Sequence, residues 1–172
     1  YKVVSKGGSS SIFGEAITWL KNSGIVTQVN KANAEMPLEM HKDLSSFKLY
    51  MSDVGLFVNK ARYPLYQIDL SESPTMISMG PLTEHYVANE LRANGYEIYY
   101  WESDGRAELD FMIQKDINIV PIEVKTSTHT KSRSLDLFMK TYNPEYAIRV
   151  SEKNFGFENN IKSVPLYAVF CI

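Results

Sequence analysis

The chain has 172 residues, 44% of them hydrophobic, 12% aromatic and 22% charged, with a formal net charge of −2. That suits one domain, or one domain with a small companion, able to bury a core without disulfides. It excludes a global basic field for nucleic acid, so any such binding must use a local patch, and no apolar run approaches the ~18 residues of a membrane span.

The opening "YKVVSKGGSSS" reads like the middle of a longer protein and carries no signal-peptide pattern. Serines 9 to 11 can cap a helix whose apolar stripe is Ile12, Ala16, Trp19 and Leu20, and Gly24 ends it. Residues 25–31 read as a strand, followed by a polar loop with Pro37. A second strand over 47–57 runs into a turn at Gly55. A helix followed by two strands over 1–57 suggests a winged-helix-like segment or a small α/β lead-in packed on the main domain. Residues 58–79 are a connector punctuated by Pro64 and Pro74.

A helix starts at Gly80-Pro81 and closes at Gly95. Strands follow at 97–103, 107–114 and 118–127, the first two joined by the turn "SDGR". The loop "THTKSRS", a short helix at 135–142, and strands in "EYAIRVS" and "PLYAVFCI" complete the chain. Residues 80–172 thus predict an α/β domain, a mixed sheet of four or five strands flanked by helices. The single cysteine, Cys171, has no internal partner. It is expected as a buried thiol near a strand end, in a reducing, cytoplasmic setting.

The stretch "RAELDFMIQKDINIVPIEVK" holds carboxylates and a lysine inside two apolar strands. Side chains alternate along a strand, so Leu109, Phe111 and Ile113 are expected on one face and Glu108 and Asp110 on the other. The next strand sets Val120, Ile122 and Val124 against Glu123 and Lys125. A turn centred on Asp116-Ile117 places Asp110 opposite Glu123, and Glu108 opposite Lys125. The second pair is a ready cross-strand salt bridge. The first sets two carboxylates ~5 Å apart, which favours a cation between them or a proton on one. On the preceding helix, Glu84 falls within the apolar face of Val87, Ala88 and Leu91, where it needs a partner such as Lys125 or a metal. Hard oxygen ligands without cysteine suit Mg²⁺ or Mn²⁺.

The order "GPLTEHYVANEL", "GYEIYYWES", "AELDFMI", "VPIEVK" resembles the PD-(D/E)XK nuclease superfamily, with its restriction-endonuclease-like fold. More closely, "FKLYMSDVGLF", "ELDFMI", "PIEVK", "KSRSL" and "VPLYAVF" resemble the C-terminal domain of unknown function 4143 that follows an AAA+ ATPase module. That resemblance implies an upstream ATPase module absent from this chain, with DNA as a partner. It also implies Asp110, Glu123 and Glu84 as metal ligands and Lys125 as the residue that orients the attacking water, all four acting as the catalytic set. The loop residues Lys131, Ser132, Arg133 and Ser134 are candidate phosphate contacts, against an ordinary solvated loop capping the next helix. His41, His85 and His129 have no zinc-site spacing, and "GGSSS" lacks the lysine of a phosphate-cradling loop. Trp101 and its neighbouring tyrosines are expected as packing. Two functions compete: metal-dependent hydrolysis of nucleic acid, weak in this chain by itself, and a catalytically inactive DNA- or protein-binding module of the ATPase.

Overall fold

The computed structural model describes residues 10–64, 78–103, 105, 107–126 and 132–172, with side chains from residue 13 onward. Most of the connector, part of the "SDGR" turn, His129 and Lys131 lie outside the described residues.

Helix α1 (Ser10–Asn22) ends at Gly24, whose φ of 72° a glycine adopts without steric cost. Two members of the expected stripe do not bury, Ala16 being exposed and Trp19 64% exposed, while Leu20 is half-buried. Strand β1 (Val26–Ala32), a 3-10 turn at Leu38–His41 and β2 (Lys42–Met51) follow. Where the sequence suggested a strand running into a turn at Gly55, the strand stops at Met51 and α2 (Val54–Lys60) begins. The reason is the Asp53 cap, whose carboxylate accepts the Leu56 N–H at 2.8 Å and so starts a helical turn.

Helix α3 (Gly80–Ala93) carries Pro81 in its first turn and is closed by Gly95 at φ 87°, as the sequence predicts. Strands β3 (Ile98–Ser103), β4 (Ala107–Lys115) and β5 (Asn118–Val124), helix α4 (Arg133–Tyr142) and β6 (Ala147–Ser151) come next. The chain then forms a hairpin of β7 (Gly156–Glu158) and β8 (Ile161–Pro165).

The strands form one mixed sheet in the order β2-β1-β3-β4-β5-β6-β8-β7. Strand β1 pairs parallel with β3, so the N-terminal strands extend the sheet formed by the later ones. Six of these strands lie beyond residue 80, where four or five are expected; the difference is the β7–β8 hairpin. Its two-residue loop, Asn159-Asn160, has φ of 52° and 58°, the backbone of a twisted hairpin turn that asparagine tolerates. The predicted strand "PLYAVFCI" is instead a 3-10 segment, Leu166–Cys171. Strand β8 already occupies the sheet position. The segment packs Val169 into the core, and the Asn94 amide and Tyr96 hydroxyl donate to the carbonyls of Phe170 and Ile172. Cys171 is exposed, not buried, because it belongs to this surface turn.

Helices α3 and α4 cover opposite faces. One core joins Val87, Ala88 and Leu91 of α3 to Tyr50, Tyr100, Phe111, Ile113, Val120 and Ile122. The other joins Leu135 and Phe138 of α4 to Tyr99, Trp101, Leu109 and Met112. Phe138 should therefore be among the costliest truncations: Phe138→Ala is expected to destabilise by about 3–5 kcal/mol, readable as a lowered urea midpoint. The β4–β5 hairpin turns at Asp116-Ile117, in the predicted register, with Phe111 opposite Ile122 and Lys115 opposite Asn118. Asp116 takes the left-handed backbone there, at φ 55°.

The alternation expected of β4 fails at one point. Tyr99 pairs with Met112 and Trp101 with Leu109, so Asp110 and Phe111 together face the single residue Tyr100. This bulge shifts the phase of the strand. Leu109 shares the α4 core with Met112, while Phe111 and Ile113 share the α3 core. The expected charged face is therefore a covered one in mid-strand, with the charges gathered at one end. Among the described residues no helix is long and apolar enough to cross a membrane.

Candidate functional site

The bulge places Asp110 where β4 leaves the regular ladder. Its carboxylate accepts the Val124 N–H at 2.7 Å, reaching β5 through a side chain. Glu123, next to that amide, is 3% exposed. Its Oε1 accepts from the Ser132 hydroxyl at 2.7 Å and pairs with the Lys125 ammonium at 2.6 Å. Its Oε2 is buried with no hydrogen-bond partner. Ser132 is the N-cap of α4, its oxygen also accepting the Leu135 N–H at 3.2 Å. Glu123 therefore sits by the positive end of a helix.

Burial pushes the Asp110 carboxyl up to about 7; the negative charge of Glu123 adds to this and the Val124 N–H opposes it. Glu84 raises it further and Lys48 lowers it. Asp110 thus lies between two charged groups, one on each side of the bulge.

The second group is centred on Lys48, which pairs with Glu84 at 3.1 Å and with Glu108 at 2.5 Å. Burial works against its charge, but Glu84 and Glu108 outweigh it and hold the ammonium above its ordinary range. Tyr50 donates a short hydrogen bond to Glu84. Burial and then Glu84 push the phenol well above its usual range. These contacts revise two expected pairings. Glu108 meets Lys48 rather than Lys125, and Glu84 meets Lys48 and Tyr50 rather than Lys125. The reason is that β2 reaches α3 with both Lys48 and Tyr50 pointing inward, leaving Leu49 39% exposed. The signal was the alternation of "FKLYM", in which a lysine and a tyrosine share a face while leucine takes the other.

Lys48→Met should leave Glu84 and Glu108 without their shared cation. The expected loss is about 2 kcal/mol, seen as a melting temperature lowered by several degrees; an unchanged melt would show that the triad is merely solvated. Beside it, His85 is buried, accepts the Met51 N–H at 2.6 Å and stacks on Phe57 at 4.1 Å. Burial lowers its pKa, against the opposing pull of the Met51 contact and Glu84.

The remaining described candidates lie at the start of α4. Ser132 serves Glu123 and the α4 cap, Arg133 is exposed and Ser134 partly buried. Tyr99, Tyr100 and Trp101 are buried packing residues, as expected.

Among the described residues no three His, Cys, Asp or Glu side chains close into a metal cage. What the site offers is Asp110 beside Glu123, one of whose oxygens is buried and unsatisfied. That donor set fits a hard cation that keeps several waters and takes one or two carboxylates, the habit of Mg²⁺.

A mixed sheet with helices on both faces, and a buried glutamate beside a half-buried aspartate at one end, defines a mixed α/β domain. The chain belongs to the family described as Domain of unknown function (DUF4143), whose model matches residues 79–169. A second model, Domain of unknown function (DUF8612), matches residues 1–64. Neither a curated protein nor a solved structure matches the chain.

Proposed function

We propose that Asp110, Glu123 and Lys125 form a divalent-metal-dependent site for phosphodiester hydrolysis of nucleic acid, of the restriction-endonuclease-like, PD-(D/E)XK kind that the sequence resembles. The supporting observation is the buried, unpartnered Oε2 of Glu123 next to a second carboxylate. An ion pair built only for stability would satisfy that atom. Asp110 and Glu123 would hold Mg²⁺ or Mn²⁺, which supplies charge neutralisation and a lowered water pKa. Lys125, 31% exposed and paired with Glu123, would orient a water or screen charge developing on a phosphate oxygen. Ser132 holds the Glu123 carboxylate in place. Glu84, with Lys48 and Tyr50, tunes Asp110 rather than adding a ligand. An AAA+ ATPase module would deliver the nucleic acid, because the net charge of −2 offers little capture.

Metal binding must displace the Asp110 proton, so Mn²⁺ affinity should rise with pH, approaching tenfold per unit below about 7, and level off above it. Isothermal titration from pH 5.5 to 8.5 reads this directly; a flat profile would detach the metal from Asp110. The enzyme reading is tested by incubating the chain with Mg²⁺ or Mn²⁺ and single-stranded, duplex or branched DNA. Slow, metal-dependent cleavage supports it. Metal and DNA binding without cleavage of any substrate would leave a catalytically inactive binding module.

A further inference from the structure

We propose that Arg149 is an oxyanion-binding residue of this site, holding a phosphate group beside Glu123. The proposal deepens the metal-site reading, but its own evidence lies on β6. Arg149 is the direct neighbour of Glu123 across the parallel β5–β6 pair. Strands lie ~4.8 Å apart, and residues paired in this way project to the same face of the sheet. An arginine and a buried glutamate so placed would ordinarily join, yet no ion pair forms between them. Oε1 of Glu123 is taken by Lys125 and Ser132.

Two buried side-chain atoms among the described residues then lack a hydrogen-bond partner: Oε2 of Glu123 and Nε of Arg149. Arginine cannot relieve its position by losing a proton, and an unmet buried N–H carries the full desolvation cost. The flanking residues, Ile148 and Val150, are buried apolar side chains, as a strand at this depth requires. Those two project to the opposite face of the sheet, whereas Arg149 is half-buried on the face it shares with Glu123.

The two orphaned atoms are of opposite kind and stand at one level on neighbouring strands. The carboxylate oxygen lacks a cation and the guanidinium lacks an anion. A phosphate group neutralised by a divalent cation satisfies both at once. The planar fork of arginine suits phosphate oxygens better than a point charge does. On this reading Lys125 serves the water and Arg149 the phosphate, so the two cations of the site have separate tasks.

The test measures binding, not turnover. Inorganic phosphate and a short labelled oligothymidylate are titrated into the chain with Ca²⁺, and Mn²⁺ is titrated separately, for wild type, Arg149→Gln and Arg149→Lys. Arg149→Gln should weaken both phosphate and oligonucleotide by about tenfold or more, with Mn²⁺ affinity held within about twofold. Arg149→Lys should recover part of the loss, and the oligonucleotide should compete with free phosphate. If wild type fails to bind Mn²⁺ but phosphate binding still depends on Arg149, the metal reading fails and this proposal stands. Equal phosphate affinity in wild type and Arg149→Gln, or no phosphate binding by wild type, overturns it. So does a variant whose melting temperature and Mn²⁺ affinity fall while phosphate affinity holds, because Arg149 would then be the ion-pair partner of Glu123. Should Arg149→Gln not fold, Arg149→Lys decides: a threefold to tenfold weakening supports the proposal and an unchanged affinity overturns it.

Discussion

Replacing Asp110 with asparagine should stabilise the metal-free protein at pH 8 and abolish its further stabilisation by Mg²⁺ or Mn²⁺. Folded Asp110 keeps its proton to about 7, whereas an unfolded aspartate loses it near the ordinary value of 3.8. Between those values the folded state binds more protons, so this group lowers stability as pH rises through the window. Below the window both states are protonated and the penalty vanishes; above about 7 it is complete. Asparagine removes the charge while its amide oxygen can still accept the Val124 N–H. The expected gain is roughly 2–4 kcal/mol at pH 8 and little at pH 4. His85 titrates with the opposite sense, since its depressed pKa withdraws stability as pH falls. Comparing variant and wild type at each pH cancels that contribution. In wild type, a cation that binds only the folded state should raise the melting temperature by mass action. A variant that is less stable at pH 8, or that keeps the Mn²⁺-induced rise, would remove Asp110 from the site.

The second large effect concerns Lys125. Lys125→Met keeps the aliphatic stem but removes the ammonium that pairs with Glu123 at 2.6 Å. Any metal-dependent cleavage should fall by about 10²–10⁴-fold, the scale of losing a positioned proton-transfer or electrostatic group. Mn²⁺ should still bind, because both carboxylates remain, and a cation in place of the ammonium should bind no more weakly than before. Single-turnover cleavage and Mn²⁺ titration on the same sample separate the two effects, provided the assay stays below the melting transition. Loss of metal binding together with cleavage would mean that Lys125 only shapes Glu123; retained cleavage would remove it from the chemistry.

Much of this geometry was legible before the structure. The alternation in "NIVPIEVK" correctly sets Val120, Ile122 and Val124 on one face, with Glu123 and Lys125 on the other, because β5 is regular throughout. The turn at Asp116-Ile117 fixed the register, and Asp116 tolerates the left-handed backbone despite an unfavoured turn pair. Glu84 did need a partner, but the partner came from β2, far away in sequence. The alternation in "FKLYM" sets Lys48 and Tyr50 on one face, but no local pattern reveals that β1 and β2 extend the same sheet and bring that face to Glu84. Apolar content alone made "PLYAVFCI" look like a strand, whereas the neighbouring β8 and the Asn94 and Tyr96 hydrogen bonds decide its form. The bulge left no mark in composition. It becomes visible only when β4 is laid against β3.

That bulge makes the length of β4 more constrained than its composition. Removing one residue between Ala107 and Asp110 would draw Glu108 towards the place of Leu109, against Trp101 and the α4 core, and shorten the reach that lets Asp110 meet Val124. Exchanging one apolar residue for another there leaves the phase intact. Random mutagenesis of this segment should therefore tolerate conservative substitutions while rejecting single-residue deletions and insertions. Recombination with another strand would succeed only where the donor carries the same extra residue opposite Tyr100.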